Sequence, residues 1–453
     1  MKSGVLEKII DFFSPSIRRD LEISKKEYKN RWEAVQKEMD KKGYDLAYAC
    51  GSELDRSDIA WLAGVFDPII ERYGILIPRQ GTPVVVAGSE GGHVIADCLK
   101  ISDARLALLR EFQISDEDYR FAEFEKLEDL AYLLVSFNPA KPVRIAILSS
   151  CQFIPHDHVS LFQGRFGGEN VIFDTELLSR IKYKKSEAEL QIIGMANTIA
   201  DAAFLGMLNV LEPGITELDV AAAGDYIMKR LGARRTGFPT IVSSGDRGRS
   251  VLGPATNRSI TKGEFVSMGI SPTFNGYHGI MRRTVKVGED WTAGEKVFME
   301  ALEGLYHTVY KAVQEASQQS LPSNFIDRKG KDYLKRTKIE DKNGRLVTPR
   351  EPYTFIHNTG CSECQEGFGA VTPYTEFPLG EKAALMIDVA FMGFDDKGEL
   401  VFPIEYAVIE DSFWKSGSET GVYNTLPLNV QEFSGGSAIK IPAEKRNPYF
   451  KKF

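Results

Sequence analysis

The 453-residue chain predicts an α+β protein of two domains. Two patterns carry the prediction. Between Lys25 and Leu148 short apolar strands alternate with helical stretches, which is how a small α/β domain around a mixed sheet is written. From Ser186 onward two helices lead into a strand–turn–strand, then a long helix and three more strands. The boundary falls near residue 180, giving domains over 1–180 and 181–453.

In the first domain Lys25 to Lys42 reads as a helix, with Trp32, Val35 and Met39 at helical spacing and Gly43 as the stop. Leu46 to Cys50 is a buried strand. Tyr73 to Ile77 and Pro83 to Ala87 pair around a Gln80-Gly81 turn, Lys126 to Phe137 is a helix, and Val143 to Leu148 is another strand. Val5 to Phe13 is a short amphipathic segment that packs on the body or on a partner subunit, membrane contact being the alternative. In the second domain Ser186 to Glu189 (SEAE) fits a capping box and opens a helix to about Leu211; Thr216 caps the next through Arg230. Ala293 to Ser317 is a long helix, and Leu321 to Arg350 is a lysine-rich helix and loop. Tyr353 to Ile356, Ala383 to Phe391 and Glu399 to Ile409 are strands, and the tail after Ser416 lacks periodicity.

A net charge of −7 without a basic stripe argues against nucleic acid. No uninterrupted apolar run approaches the ~20 residues of a membrane span, and the N-terminus has acidic residues inside its apolar stretch, unlike a signal peptide. Five cysteines, an odd number, suggest reduced thiols and a cytoplasmic protein.

The chain turns on Lys262 to Gly288, KGEFVSMGISPTFNGYHGIMRRTVKVG. It predicts strands over Glu264–Ser271 and Tyr277–Val287, with Pro272, Asn275 and Gly276 as the break. Alternation puts His278, Ile280 and Arg282 on one face of the second strand and Tyr277, Met281 and Arg283 on the other.

This stretch resembles the creatinase/prolidase/aminopeptidase P family, the pita-bread hydrolases, whose strand–turn–strand reads GD-V-x-x-D, G-Y, D-x-T-R-T, V-x-G. The frame survives here as Gly263, Val266, Gly276, Tyr277, Arg283, Thr284 and Gly288. Ile59 to Val65 is similar to the family's YLTG segment, and Ser179 to Ser186 to its R-x-I-K-S-x-x-E junction. The resemblance implies a creatinase-like N-terminal domain, a pita-bread second domain, a small-molecule substrate and a homodimer, with Asp55, Arg56 and Asp58 suspected of reaching across to a neighbour.

The family binds two divalent metals through two aspartates, a histidine and two glutamates. The resemblance places those positions on Gly269, Ile280, Cys361 (in His357-Asn358-Thr359-Gly360-Cys361), Asp388 and Glu405. Two ions about 3.5–4 Å apart need several bridging carboxylate oxygens, and two carboxylates with a thiol are a poor match. The expectation is therefore no metal and no cofactor. Arg282, two residues beyond Ile280, is expected to take over the metal's charge-neutralising role, or else to be a surface arginine.

Within the family the local match is to creatinase: Gly253-Pro254-Ala255-Thr256-Asn257-Arg258, Lys262-Gly263, Ser267, Pro272 and Gly276-Tyr277. Its general-base histidine falls on Leu252, and its glutamates on Arg282 and Asp388. The resemblance implies a metal-independent hydrolase cleaving a C–N bond in a small polar amidine or amide. Arg282 and Tyr406 bind substrate, His278 shuttles a proton, and Asp388 and Glu405 orient the cationic part. His357 binds a carbonyl or transition-state oxygen. Each histidine has a structural, hydrogen-bonded role as its alternative. Cys361 and Cys364 form Cys-x-x-Cys, in which Cys361 is a candidate nucleophile or a buried inert thiol; Glu363 and Glu366 are spare acid/base or substrate-binding candidates. The alternatives are an Xaa-Pro metallopeptidase and a non-catalytic pita-bread binding protein.

Overall fold

The computed structural model of the protein describes residues 3–114, 120, 122–135, 141–362 and 367–435. The chain divides into two compact units. The larger combines Met1–Leu21, Lys185–Thr359 and Gly369–Phe453; the smaller combines Glu22–Lys184 with Gly360–Phe368. The first helix, α1 (Ser3–Phe13), therefore belongs with the C-terminal part of the chain and not with the residues that follow it.

The smaller unit begins with α2 (Lys25–Lys42). Ser24 accepts from the Glu27 N–H at its start, and Gly43, at φ +70°, closes it in the left-handed conformation glycine adopts without penalty. Then come β1 (Leu46–Gly51), α3 (Ser57–Ala63), β2 (Tyr73–Pro78), β3 (Val84–Ala87), α4 (Ser89–Ile95), β4 (Arg105–Leu109), β5 (Phe124–Glu125), α5 (Leu127–Val135), β6 (Ile145–Ile147), α6 (His156–Phe166), β7 (Val171–Phe173) and α7 (Thr175–Tyr183). The strands form one mixed sheet in the order β5-β4-β3-β2-β1-β6-β7. Its core gathers Tyr48, Leu76, Val86, Phe112, Ile145 and Phe162. Arg56 and Asp58 turn inward: Arg56 is buried, and the Asp58 carboxylate accepts from Lys182 at 2.8 Å and Ser149 at 2.7 Å. Burial raises the Asp55 carboxyl above the usual range.

The larger unit is built on α8 (Glu187–Val210) and α9 (Glu217–Leu231), both opened by complete capping boxes at Ser186 and Thr216. By length and composition α8 could span a membrane, but 94% of that window is buried inside the protein, as in a core helix. Leu6, Ile9, Ile10 and Phe13 of α1 are buried, the helix packing on α8 and α9. The chain continues through β8 (Arg235–Thr236), β9 (Ile241–Ser244), β10 (Phe265–Ile270), β11 (Pro272–Phe274), β12 (Tyr277–His278), β13 (Met281–Lys286), α10 (Ala293–Gln319) and α11 (Asn324–Arg336). It ends with β14 (Ile339–Glu340), β15 (Leu346–Val347), β16 (Ile356–Asn358), β17 (Lys382–Met392), β18 (Tyr406–Ser416) and β19 (Glu419–Val422). The main sheet runs β16-β17-β18-β13-β10-β9, with β19 on β18; β12, β11 and β8 form a separate three-stranded sheet.

The single strand expected over Tyr277–Val287 is thus two strands in two sheets. The break has a tertiary cause. Gly279 lies against the α8 backbone, where an added Cβ would stand 2.4 Å from the Ala196 carbonyl, and the Ile280 N–H donates to the Asn197 side chain at 3.1 Å. The turn before it, Asn275-Gly276, has φ +45° and +82°, the left-handed pair that favours those residue types in a tight hairpin.

Candidate active site

Sheet register builds the site. Gly269 on β10 lies opposite Arg282 on β13, Arg282 opposite Glu410 on β18, and Glu410 opposite Asp388 on β17. Four residues directly opposite one another across adjacent strands project from the same face, so one row carries a gap, a guanidinium and two carboxylates. The gap matters sterically. A Cβ on residue 269 would stand 2.5 Å from Arg282 Cγ and 3.1 Å from its Cδ. The arginine stem occupies the space that any side chain at 269 would need.

Arg282 is buried and held on four sides. Its Nη1 donates to Asp388 Oδ2 at 3.3 Å and Glu410 Oε2 at 3.1 Å; its Nη2 donates to the Val251 carbonyl at 2.8 Å and the Tyr406 hydroxyl at 2.9 Å. The Tyr406 and Tyr353 hydroxyls are 2.6 Å apart, and Tyr353 donates to Asp388 Oδ1 at 2.8 Å. An ionised carboxylate only accepts, so Tyr353 must give its proton to Asp388, Tyr406 must give its own to Tyr353, and Arg282 must give to Tyr406. The four groups close a ring in which Arg282 donates to both sides and Asp388 accepts from both sides. Val251, Tyr353 and Met392 pack on Ala390, Tyr406 and Val408 beside it, an apolar wall.

His357 on β16 completes the cluster. Its Nδ1 lies 3.2 Å from the Asn358 carbonyl and its Nε2 lies 3.3 Å from Glu410 Oε1. Both of these oxygens can accept a hydrogen bond. The His357 side chain is 19% exposed, against 1% for Glu410 and 3% for Arg282, so it meets solvent, as does the partly buried Tyr353. Burial, and then the negative charge of Glu410, push the Asp388 carboxyl up to about 7, with Arg282 and His357 opposing. On the opposite face Arg283 pairs with Asp411 at 2.8 Å, and Tyr306 donates to the same carboxylate at 2.9 Å.

Several expected site residues lie elsewhere. Glu405 precedes β18, half-buried beside Gly248, and is not part of the row; the glutamate that faces Asp388 is Glu410. Just before and within β18 the sequence offers an Ile-Glu step twice, at Ile404-Glu405 and Ile409-Glu410, and pairing with β17 selects the second. His278 is buried in the three-stranded sheet opposite Thr273, its ring packed beside Gly237 and Ser271, because the break at Gly279 interrupts the alternation expected to aim it with Arg282. Cys361 is buried and lies in the smaller unit. Glu363, Cys364 and Glu366 fall outside the described residues. Leu252, at the creatinase base position, is 60% exposed. Tyr406 is in the ring as described. Tyr353 and Glu410 were not anticipated. For Glu410 the signal was present, since Val408-Ile409-Glu410-Asp411 fits the family's R-I-E-D; for Tyr353 there was none.

The donors present do not fit a two-ion centre. Among the described residues His357, Asp388 and Glu410 offer ligand atoms within 4.8 Å of one another. One oxygen of each carboxylate is already bonded to Arg282, positions 269 and 280 supply no donor, and the Arg282 stem fills the space a side chain at 269 would enter.

Comparison with known proteins agrees with this architecture. The profile of metallopeptidase family M24 matches residues 191–375. The Xaa-Pro dipeptidase of Pyrococcus furiosus is 27% identical over 160 residues, 35% of this chain and 44% of that protein. The uncharacterized peptidase YqhT of Bacillus subtilis is 32% identical over 148 residues, 31% and 40% of the two chains. The probable dipeptidase PepE of Mycobacterium tuberculosis is 23% identical over 319 residues, 70% and 72%. The first curated relatives are thus matched over less than half their length. Among solved structures the prolidase from Pyrococcus horikoshii superposes with a TM-score of 0.66 at 18% identity, over 88% of this chain and 99% of that one. An X-Pro aminopeptidase from Thermotoga maritima gives 0.66 at 17%, over 88% and 99%. The region from α8 to β16 thus matches metallopeptidase family M24, and the chain has the pita-bread fold of these prolidase and aminopeptidase structures.

Proposed function

We propose that the chain hydrolyses the C–N bond of a small polar amide or dipeptide, using its own side chains in place of a two-ion centre. The observation that carries the reading is Arg282 bonded to both Asp388 and Glu410, where the fold's metal-binding face would otherwise hold uncompensated carboxylates. The names of the relatives, Xaa-Pro dipeptidase and dipeptidase PepE, support a peptide-type bond as the substrate class. Asp388, with its carboxyl near 7, is suited to proton exchange at neutral pH. As the carboxylate it takes a proton from water while the water oxygen bonds to the carbonyl carbon. The His357 imidazolium stands by the developing oxyanion. Asp388 then returns its proton to the leaving nitrogen as the C–N bond breaks, giving an acid and an amine.

The test is a panel of Xaa-Pro and other dipeptides, amides and amidines, assayed with and without chelator. Turnover that survives chelation and falls about 100-fold or more in His357→Ala is expected, the scale of lost electrostatic stabilisation. A second reading, a one-ion metallodipeptidase, is favoured by the proximity of the three donors of His357, Asp388 and Glu410; turnover abolished by chelator and restored by manganese, cobalt or zinc would select it. Inactivity on the whole panel, with or without metal, would remove both.

A further inference from the structure

We infer that Arg282 is a resident cation that shuts this site to divalent metal, and that His357, Asp388 and Glu410 become a one-ion site once the guanidinium is removed. The inference rests on the metal-free reading above, but it is read out without any substrate.

Three observations carry it. The donor atoms of the three residues already lie within 4.8 Å of one another. Glu410 Oε1 is buried, takes no hydrogen bond from Arg282 and faces His357 Nε2 at 3.3 Å, so a carboxylate oxygen and the imidazole already converge on the same point. The inner oxygens, Asp388 Oδ2 and Glu410 Oε2, are occupied by one arginine nitrogen, Nη1. A single group thus blocks both carboxylates.

The charges explain the exclusion. Arg282 already supplies a positive charge to both carboxylates. A divalent ion entering beside the guanidinium would meet a like charge a few ångströms away in a medium where water screens little. Without Arg282 the same carboxylates are a buried pair of anions, and one imidazole with two carboxylates, leaving a position for water, is a donor set that zinc accepts in open sites.

The experiment is a thermal-shift and metal-content titration of the full chain with Zn²⁺ and Mn²⁺. Arg282→Met keeps the stem over Gly269 and removes the charge; Arg282→Lys keeps the charge. Wild type and Arg282→Lys are expected to show no shift. Arg282→Met is expected to take up one ion per chain and to gain about 5 °C at a hundredfold excess over Kd. Adding His357→Ala to Arg282→Met is expected to abolish that gain. Recovery of folded Arg282→Met only in the presence of the cation also supports the inference. An equal shift in wild type overturns it, as does the absence of cation stabilisation in both Arg282→Met and Arg282→Gln. A chain that hydrolyses nothing can still pass this test, and an active one can fail it, so the two readings fall separately.

Discussion

Gly269→Ala is the smallest change that should disable the site, although residue 269 carries no chemistry. The new methyl would stand 2.5 Å from Arg282 Cγ and 3.1 Å from Cδ, both inside contact distance, and 3.5 Å from Nε, an ordinary contact. The sheet cannot easily open there, because Gly269 pairs with Ile241 on one side and Arg282 on the other. The arginine must therefore swing, and its bonds to Asp388, Glu410, Val251 and Tyr406 must lengthen. Overpacking alone costs about 1–3 kcal/mol, and fully breaking a buried ion pair about 3–5 kcal/mol. A partial displacement should therefore cost about 3 kcal/mol. Urea unfolding of wild type, Gly269→Ala, Arg282→Ala and the double variant measures it as a cycle. The clash disappears with the side chain, so the two losses should overlap with a coupling of about 1–3 kcal/mol. A Gly269→Ala variant within about 0.5 kcal/mol of wild type, the range of neutral surface changes, or strictly additive losses, would refute the interlock.

Other perturbations separate the same network. Glu410→Gln should cost about 3 kcal/mol by weakening a buried ion pair, whereas Glu405→Gln should stay within about 0.5 kcal/mol; equal effects in urea unfolding would reject the placement of Glu410 opposite Asp388. The Asp388 carboxyl, raised from its ordinary 3.8 to about 7, holds more protons in the folded state than in the unfolded one between those values. Its contribution is complete below pH about 4 and is lost as pH rises toward about 7. Relative to Asp388→Asn, wild type should therefore lose thermal stability across that window; a flat difference curve would contradict the burial argument.

Local chemistry made much of the fold legible. The capping boxes at Ser186 and Thr216 give the start of α8 and α9, and Ser24 with Gly43 frames α2, because those signals act within one turn of helix. Arg282 could be singled out from its spacing to Ile280. What escaped depends on contacts distant in sequence. The split between β12 and β13 is imposed by the α8 backbone against Gly279, 83 residues from Asn197 to Ile280 along the chain. Glu405 and Glu410 each follow an isoleucine, and although the aspartate after Glu410 is a local signal, it is the β17 register that sets Glu410 opposite Asp388. Tyr353 enters the site through hydroxyl contacts with Asp388 and Tyr406, 35 and 53 residues away.

The position of α1 has a consequence for how the chain is made and cut. Its apolar residues Leu6, Ile9, Ile10 and Phe13 leave the ribosome well before the helices they rest on, α8 and α9, which begin at Glu187 and Glu217. During synthesis the segment must wait for the whole intervening unit, and its docking closes a loop of high contact order, the slow and aggregation-exposed kind of step. A fragment begun at Lys185 would lack it and leave the apolar floor beneath Leu6 open to water. A stable excised C-terminal unit should instead carry Ser3–Leu21, joined by a linker or supplied as a separate peptide.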